Sequence, residues 1–203
     1  MSPEKRGEKM GPFPLGRVVF FVTSNIHKFD EARKMLAEYK FAAAMLRVEA
    51  VEIQDDSIEK IAKASASDAV EKCGLPIIVE DAGLFIETLK GFPGPYSSYA
   101  YRTIGPRGIL ELMKNVDKRE AYFRSVVAFS SPGEPPTTFR GKINGKISRG
   151  ERGRSGFGFD PIFSPSGQDR TFAEMTTEEK NRYSHRAQAL RRFAQWYMAA
   201  FKP

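Results

Sequence analysis

Val18-Val-Phe-Phe-Val22, followed by Thr23-Ser24-Asn25-Ile-His27-Lys28, is the run from which the fold can be read. Five apolar residues bounded by small polar ones fit a buried strand, and the Thr-Ser-Asn triplet fits a turn. Behind it, Phe29, Ala32, Met35 and Leu36 recur at three- and four-residue spacing, which is the apolar stripe of an amphipathic helix. Strand, polar turn and helix therefore follow one another.

Working outward, a second helix is predicted from about Ser57, with Ile58, Ile61, Ala62, Ala69 and Cys73 on one face and Gly74-Leu75-Pro76 as its stop. Ile77-Ile78-Val79 reads as another buried strand, ending in the acidic pair Glu80-Asp81. The stretch Gly91-Phe-Pro-Gly-Pro-Tyr96 holds too much Gly and Pro for regular structure and leads to a helix around Ile109 to Met113. Ala121 to Ser130 reads as a strand. Thr137 to Ile143 and Lys146 to Ser148 flank Asn144-Gly145, a dipeptide suited to a tight hairpin. Ala187, Leu190, Phe193, Ala194 and Tyr197 form the stripe of a closing helix.

The 203 residues, 41% of them hydrophobic and 16 of them Phe, supply enough apolar material for a substantial core. A formal charge of +7 favours anionic partners without distinguishing nucleic acid, a phosphorylated small molecule or an acidic membrane surface. The lone Cys73 has no disulfide partner, which fits a reducing compartment. No apolar run approaches the length of a spanning helix and no signal-peptide core is visible, so a cytoplasmic protein is expected. Residues 1–16 are rich in charge, Gly and Pro and are expected to be a disordered extension, with Met10 as an alternative start.

Four stretches carry chemistry. Thr23-Ser24-Asn25 with His27 and Lys28 lies between strand and helix, where outward N–H groups and the helix dipole receive a phosphate well; an ordinary capped helix with a surface lysine is the alternative. No G-x-x-x-x-G-K-[ST] motif is present, which disfavours a Walker-type NTPase. Glu52, Glu80 and Asp81 are acidic candidates, since a carboxylate leaving a buried strand suits a hard cation such as Mg2+ together with phosphate oxygens. Asp81 is also placed to orient or deprotonate a water. The competing reading is charge at a strand end or a turn cap. Gly156-Phe157-Gly158-Phe159-Asp160-Pro161 alternates Gly with Phe, as needed for a close approach to a flat ring and a stacking surface for a base. It could equally fill a core. Lys180, Ser184, His185 and Arg186 gather donors before the last helix, although such basic clusters are often solvated faces.

Taken together and in this order, these motifs resemble the inosine triphosphate pyrophosphatase family, the XTP/dITP pyrophosphatases. The resemblance runs from about Val18 to the terminal helix and includes Thr23-Ser-Asn-x-x-Lys28, Glu52, Val79-Glu-Asp81, Gly91 to Tyr96, Gly156 to Pro161, Thr171-Phe-Ala-Glu-Met175, Glu179-Lys-Asn181 and Ser184-His-Arg186. The wording of Phe85 to Gly105 is similar to archaeal members. The resemblance implies an α/β fold with a long mixed β-sheet and flanking helices, residues 17–203 forming one domain of two lobes that enclose a nucleotide cleft, and a homodimer. It implies that Thr23, Ser24, Asn25 and Lys28 hold the triphosphate, that Glu52 and Asp81 serve Mg2+ and water, and that Glu80 supports them. Phe157, Gly158, Phe159 and Asp160 would line the base pocket, completed by Lys180, Ser184, His185 and Arg186. The implied reaction is hydrolysis of ITP, dITP and XTP to the monophosphate and pyrophosphate, cleansing the nucleotide pool.

The chain departs from some relatives in having Phe159 where Trp or Tyr stands, and Ser65 and Ser98 where lysines stand. Arg102, Lys63 and Arg154 are candidates to compensate phosphate charge. The rival readings are a single-stranded nucleic-acid-binding protein, which leaves the acidic residues without a purpose, and a pyrophosphatase for modified pyrimidine nucleotides, against which the Lys180 to Arg186 motif argues. No nucleic acid and no membrane are required. One geometric expectation follows from spacing alone: Lys180 and Arg186 would lie about 240° apart on a continuous helix, so a break is predicted near Ser184, a good N-cap residue.

Overall fold

The computed structural model describes residues 18–200; the expected extension at residues 1–16 lies outside them. The chain begins with β1 (Val18–Val22), α1 (Ile26–Ala37), β2 (Ala42–Leu46), α2 (Ile58–Cys73) and β3 (Ile77–Ile86). It continues through β4 (Pro93–Gly94), α3 (Ser97–Thr103), α4 (Gly105–Leu112), β5 (Glu120–Ser130), β6 (Thr137–Ile147), β7 (Phe163–Pro165), α5 (Thr177–Asn181) and α6 (His185–Ala200). Seven strands form one mixed sheet in the order β2-β1-β3-β5-β6-β7, with β4 added to β3. The opening β2-β1-β3 part is parallel and the rest antiparallel. This is the long mixed sheet of an α/β fold. Among the described residues, no helix is long and apolar enough to cross a membrane.

α1 and α6 cover one face, where Met35, Leu36, Leu190 and Phe193 are fully buried against Val19, Phe21 and Ile78. On the other face α2 packs Ile58, Ala62, Ala66 and Ala69 onto Val22, Ile77 and Val79. A third core, with Leu84, Ile86, Ile109, Phe163 and Phe172, lies at the far end of β3 and β5. Asn25 accounts for the start of α1: its Oδ1 accepts from the N–H groups of His27 and Lys28 at 3.0 and 3.1 Å. Ser57 caps α2, and Gly74, at φ +65°, ends it in the left-handed conformation that glycine tolerates best.

Three local expectations are corrected. β3 does not end at Glu80-Asp81; it pairs with β5 through ten successive residues to Ile86, which puts the acidic pair in mid-strand. A local apolar run cannot reveal this, because Gly83 is kept in the strand by a remote contact: any Cβ there would meet the Gly94 carbonyl oxygen at 2.2 Å. Asn144-Gly145 is not a hairpin turn, since β6 is continuous across it and Gly145 faces both Ala121 and Pro165. Its glycine is needed for that close packing, a Cβ falling 2.3 Å from the Ser164 carbonyl oxygen. The helix expected around Ile109 is present as α4, but Pro93–Gly94, in the stretch read as irregular, pairs with β3 as β4, and a further helix, α3, precedes α4; Ser97 starts it by donating to Gly94 O and accepting from Leu84 N. The break near Ser184 is present: α5 stops at Asn181, and Ser184 Oγ accepts from Ala187 N at the head of α6.

Sheet topology creates an opening. β3 touches β1 only through Ile77 and Ile78, while β4 reaches only Leu84 and Phe85. Between these contacts the β1-side edge of residues 79–83 has no strand neighbour among the described residues. It borders a cleft at the carboxyl end of β1.

Candidate active site

The cleft measures about 1460 Å³ and runs from the β1–α1 turn and the 47–55 loop, past the free edge of β3, to Phe157 and the start of α6. Thr23, Ser24, Asn25, Lys28, Glu52, Glu80, Asp81, Phe157, Gly158, Phe159, Asp160, Lys180, His185 and Arg186 all line it. Ser184 does not. It is fully buried and serves as the α6 cap, so its contribution is to aim the two residues that follow.

Because successive strand residues point to opposite faces, Glu80 and Asp81 have different surroundings. Glu80 points toward α1 and α6. Its carboxylate lies 3.1 Å from both Lys28 Nζ and Arg186 Nε and accepts from Ser125 Oγ at 2.6 Å. Burial opposes its charge, yet Arg186 and Lys28 hold it below the ordinary carboxylate range. Asp81 is half-buried and, among the described residues, its carboxyl has no ion-pair partner and accepts only from the N–H of Ala82 at 2.9 Å. Burial pushes it up to about 6, against the pull of Lys28 and with a further push from Glu80 and Glu52.

Glu52 is exposed in the irregular segment before α2. That segment is fastened by Ser65 Oγ donating to Val51 O at 2.9 Å and by Asp68 accepting from Val51 N at 2.8 Å. Ser65 thus secures the Glu52 loop, a role that a lysine would not fill in the same way. Among the described residues no cluster of three or more His, Cys, Asp or Glu side chains is arranged around a metal position. Two cleft carboxylates, one of them short of positive charge, do fit Mg2+, which characteristically takes one or two carboxylates and completes its shell with phosphate oxygens and water.

At the opposite end the charges are paired and buried. Glu31 on α1 receives Lys180 Nζ at 2.7 Å and Arg186, while Lys180 also contacts Asp160 Oδ2 at 2.5 Å. Although burial alone would raise Glu31, Arg186 and Lys180 hold it down at about 2. The break at Ser184 is what lets Lys180 and Arg186 converge on one carboxylate. Asp160 also accepts from Phe157 N at 2.9 Å, and Gly156 must lack a side chain because a Cβ would lie 2.2 Å from that carboxylate oxygen. The Lys180 ammonium and Arg186 guanidinium lie 5.0 and 5.3 Å from the centre of the Phe157 ring.

His185 is buried, stacked on Phe123 at 4.6 Å, and its Nδ1 has no hydrogen-bond partner among the described residues. Burial, then Arg186 and Lys180, push it well below its ordinary value, so it is a neutral imidazole with one donor and one acceptor. Phe159 is not an open stacking surface: its ring is 4% exposed and meets Tyr101 edge-on within the far core. Phe157 is the half-buried ring of the pair.

The β1–α1 turn also differs from expectation, because Asn25 itself occupies two of the first N–H groups of α1. Lys28 bridges to β3 instead, its Nζ donating to Glu80 O at 3.0 Å. Of the three basic candidates, Lys63 pairs with Glu59 and Arg154 lies away from the cleft, whereas Arg102 lines it. Arg102 and a second arginine, Arg47, are exposed and make no ion pair or hydrogen bond with the described residues.

Sequence reasoning missed Glu31, Ser125 and Arg47. A signal existed for Glu31, which shares the buried stripe of α1 with Met35 four residues on, where a charge demands a partner. Nothing local marks Ser125 or Arg47.

Residues 19–196 match the Ham1 family. The chain is 51% identical over 179 residues to the dITP/XTP pyrophosphatase of Methanopyrus kandleri, covering 88% of this chain and 95% of that protein. It is also 51% identical over 176 residues to the dITP/XTP pyrophosphatase of Thermococcus kodakarensis, with 87% and 95% covered. Among solved structures, the Staphylococcus aureus Ham1 protein superposes with a TM-score of 0.78 at 25% identity, covering 90% of this chain and 99% of that one. A HAM1 protein from Coxiella burnetii gives 0.77 at 28% identity, with 90% and 98% covered.

Proposed function

Because the chain belongs to the Ham1 family, we propose that it hydrolyses the deaminated purine nucleoside triphosphates ITP, dITP and XTP to the monophosphate and pyrophosphate. The observation that carries this reading is one continuous cleft with a carboxylate, Asp81, that has no ion pair among the described residues at one end and an aromatic ring backed by buried cations at the other. That spacing of functions matches a nucleotide, with phosphates toward Asp81 and base toward Phe157.

Glu52 and Asp81 are the residues to hold Mg2+, which when bound offsets charge on the phosphates. Lys28, Thr23 and Ser24 bind the triphosphate, with Asn25 fixing the turn that presents them. Asp81 orients the attacking water toward the α-phosphorus and accepts its proton, and pyrophosphate departs. Glu80 holds Lys28 and Arg186 in place. At the base end, the neutral His185 and the edge of the Lys180–Arg186 pair face the 6-oxo acceptor of hypoxanthine or xanthine; adenine presents a 6-amino donor there and leaves buried donors unmatched. The nucleic-acid alternative fits less well, since Lys180 and Arg186 are paired with buried carboxylates and form no basic track. A homodimer and a cytoplasmic location belong to the same proposal.

The test is a hydrolysis screen with Mg2+ over ITP, dITP, XTP, GTP and ATP, quantifying pyrophosphate and orthophosphate separately. Pyrophosphate from the deaminated nucleotides at much higher kcat/KM than from ATP is expected. Orthophosphate with a nucleoside diphosphate, or equal rates on ATP and ITP, would contradict the proposal.

A further inference from the structure

Phe157 is not bare. The imidazole of His27, at the head of α1, lies nearly parallel to it, with ring centres 5.3 Å apart and planes 15° from one another. The two rings come from opposite banks of the cleft, and both line it. Their anchoring is unequal. Phe157 is held by its N–H to Asp160 between two glycines in the left-handed region, Gly156 at φ +72° and Gly158 at φ +64°. His27 is exposed, and its imidazole makes no hydrogen bond or ion pair with the described residues, so a side-chain rotation alone frees it.

A flat base cannot lie between the rings as they stand. Two carbon contacts of about 3.5 Å each require flanking planes about 7 Å apart, and the ring centres are 5.3 Å apart. His27 therefore occupies stacking surface that an incoming base needs, and it is the mobile partner. It also sits one residue from Lys28, the cation assigned to the triphosphate, and both line the cleft.

We propose that His27 is the second stacking surface for the base: with the cleft empty it rests on Phe157, and with a purine bound it moves outward and covers the purine's exposed face, making the base the middle ring of three. This rests on the nucleotide reading of the cleft. Stacking of one aromatic side chain on a base corresponds to about 5- to 150-fold in affinity, and the exposed position of His27 places its share toward the lower end.

The experiment is calorimetric titration of the full chain with IMP and with ribose 5-phosphate, which shares the sugar phosphate and lacks the base, for wild type, His27→Ala and His27→Phe. His27→Ala is expected to weaken IMP by roughly 5- to 30-fold and leave ribose 5-phosphate unchanged, while His27→Phe restores IMP binding. In turnover of ITP, KM should rise in His27→Ala with kcat held. Unchanged IMP affinity in His27→Ala overturns the inference, and tighter binding overturns it by showing that the imidazole only blocks the slot. An equal loss for ribose 5-phosphate, or failure of His27→Phe to restore IMP, overturns it as well by tracing the effect to the helix head. Wild type binding IMP no better than ribose 5-phosphate would overturn the nucleotide reading first and this inference with it.

Discussion

The two ends of the cleft are built on opposite electrostatic plans. Around Glu31, each buried charge meets an opposite one: Lys180 and Arg186 are matched by Glu31, Asp160 and Glu80. Around Asp81, charges are left over among the described residues: a carboxylate without an ion pair on β3, an exposed Glu52, and the side chains of Arg47 and Arg102 without partners. A buried, self-compensated network holds a shape before any ligand arrives. An uncompensated site waits for charge from outside, as a metal ion with a polyphosphate would bring. The contrast is sharpest at Glu80 and Asp81, adjacent in sequence, where one carboxyl is lowered and the other raised.

The largest expected effect breaks the open end. Asp81→Asn keeps shape and removes charge, and should cut turnover by about 10²- to 10⁴-fold, while the thermal midpoint stays level or rises because an unpaired charge has gone. Steady-state kinetics with a calorimetric melt checks both; a lower midpoint with retained turnover would reverse the roles given to the two ends. Glu31→Gln breaks the other end. It leaves Lys180 and Arg186 short of a buried counter-charge and should lower stability by about 3–5 kcal/mol, read by urea unfolding, with activity lost through the fold rather than through the chemistry.

Acid should separate the ends without mutation. Asp81 has a folded value of about 6, above its ordinary 3.8, so its contribution to stability is full below 3.8 and disappears as pH rises through 6. Glu31 is the reverse: its folded value of about 2 lies below the ordinary 4.5, so its contribution is full above 4.5 and disappears as pH falls through 2. At limiting Mg2+, turnover should therefore fall about tenfold per pH unit below 6, while the fold persists to about pH 4. Activity and circular dichroism followed on the same samples test this, and a melting temperature that drops in step with activity between pH 6 and 5 would count against it. The smallest effect concerns the unpaired arginines. Arg102→Ala should raise KM for the triphosphate by roughly 2- to 5-fold and leave inhibition by IMP unchanged; equal losses for both ligands would remove Arg102 from the phosphate end.

How much of this was legible in the sequence follows from the range of the contacts involved. The strand–turn–helix at Val18 to Leu36, the caps of α1 and α2 and the break at Ser184 depend on neighbours within a few residues, and they appear where the pattern places them. Gly83 and Gly145 punctuate a sequence as turns do. Their reason is a remote backbone, of Gly94 and Ser164, that touches the strand at that point. Phe157 and Phe159 look alike in the motif, and only the packing of Tyr101 and the far core separates a ring facing the cleft from a ring within the core. Glu31 was visible as a charge on an apolar stripe, but its partners lie some 150 positions away.

The ten-residue zipper between β3 and β5 has a consequence for what this chain can tolerate. Because side chains alternate across a strand, the division of labour between Glu80 and Asp81 is stored as parity. A shift of β3 by two residues would keep each carboxyl on its own side of the sheet, merely displaced along it. A shift by one would exchange their faces, turning Asp81 toward the α6 cations and Glu80 toward the open end of the cleft. Insertions and deletions in the segment between Gly74 and Glu80 are thus constrained in their oddness more than in their length, and swapping the two letters to Asp-Glu is a different operation from sliding the strand beneath them.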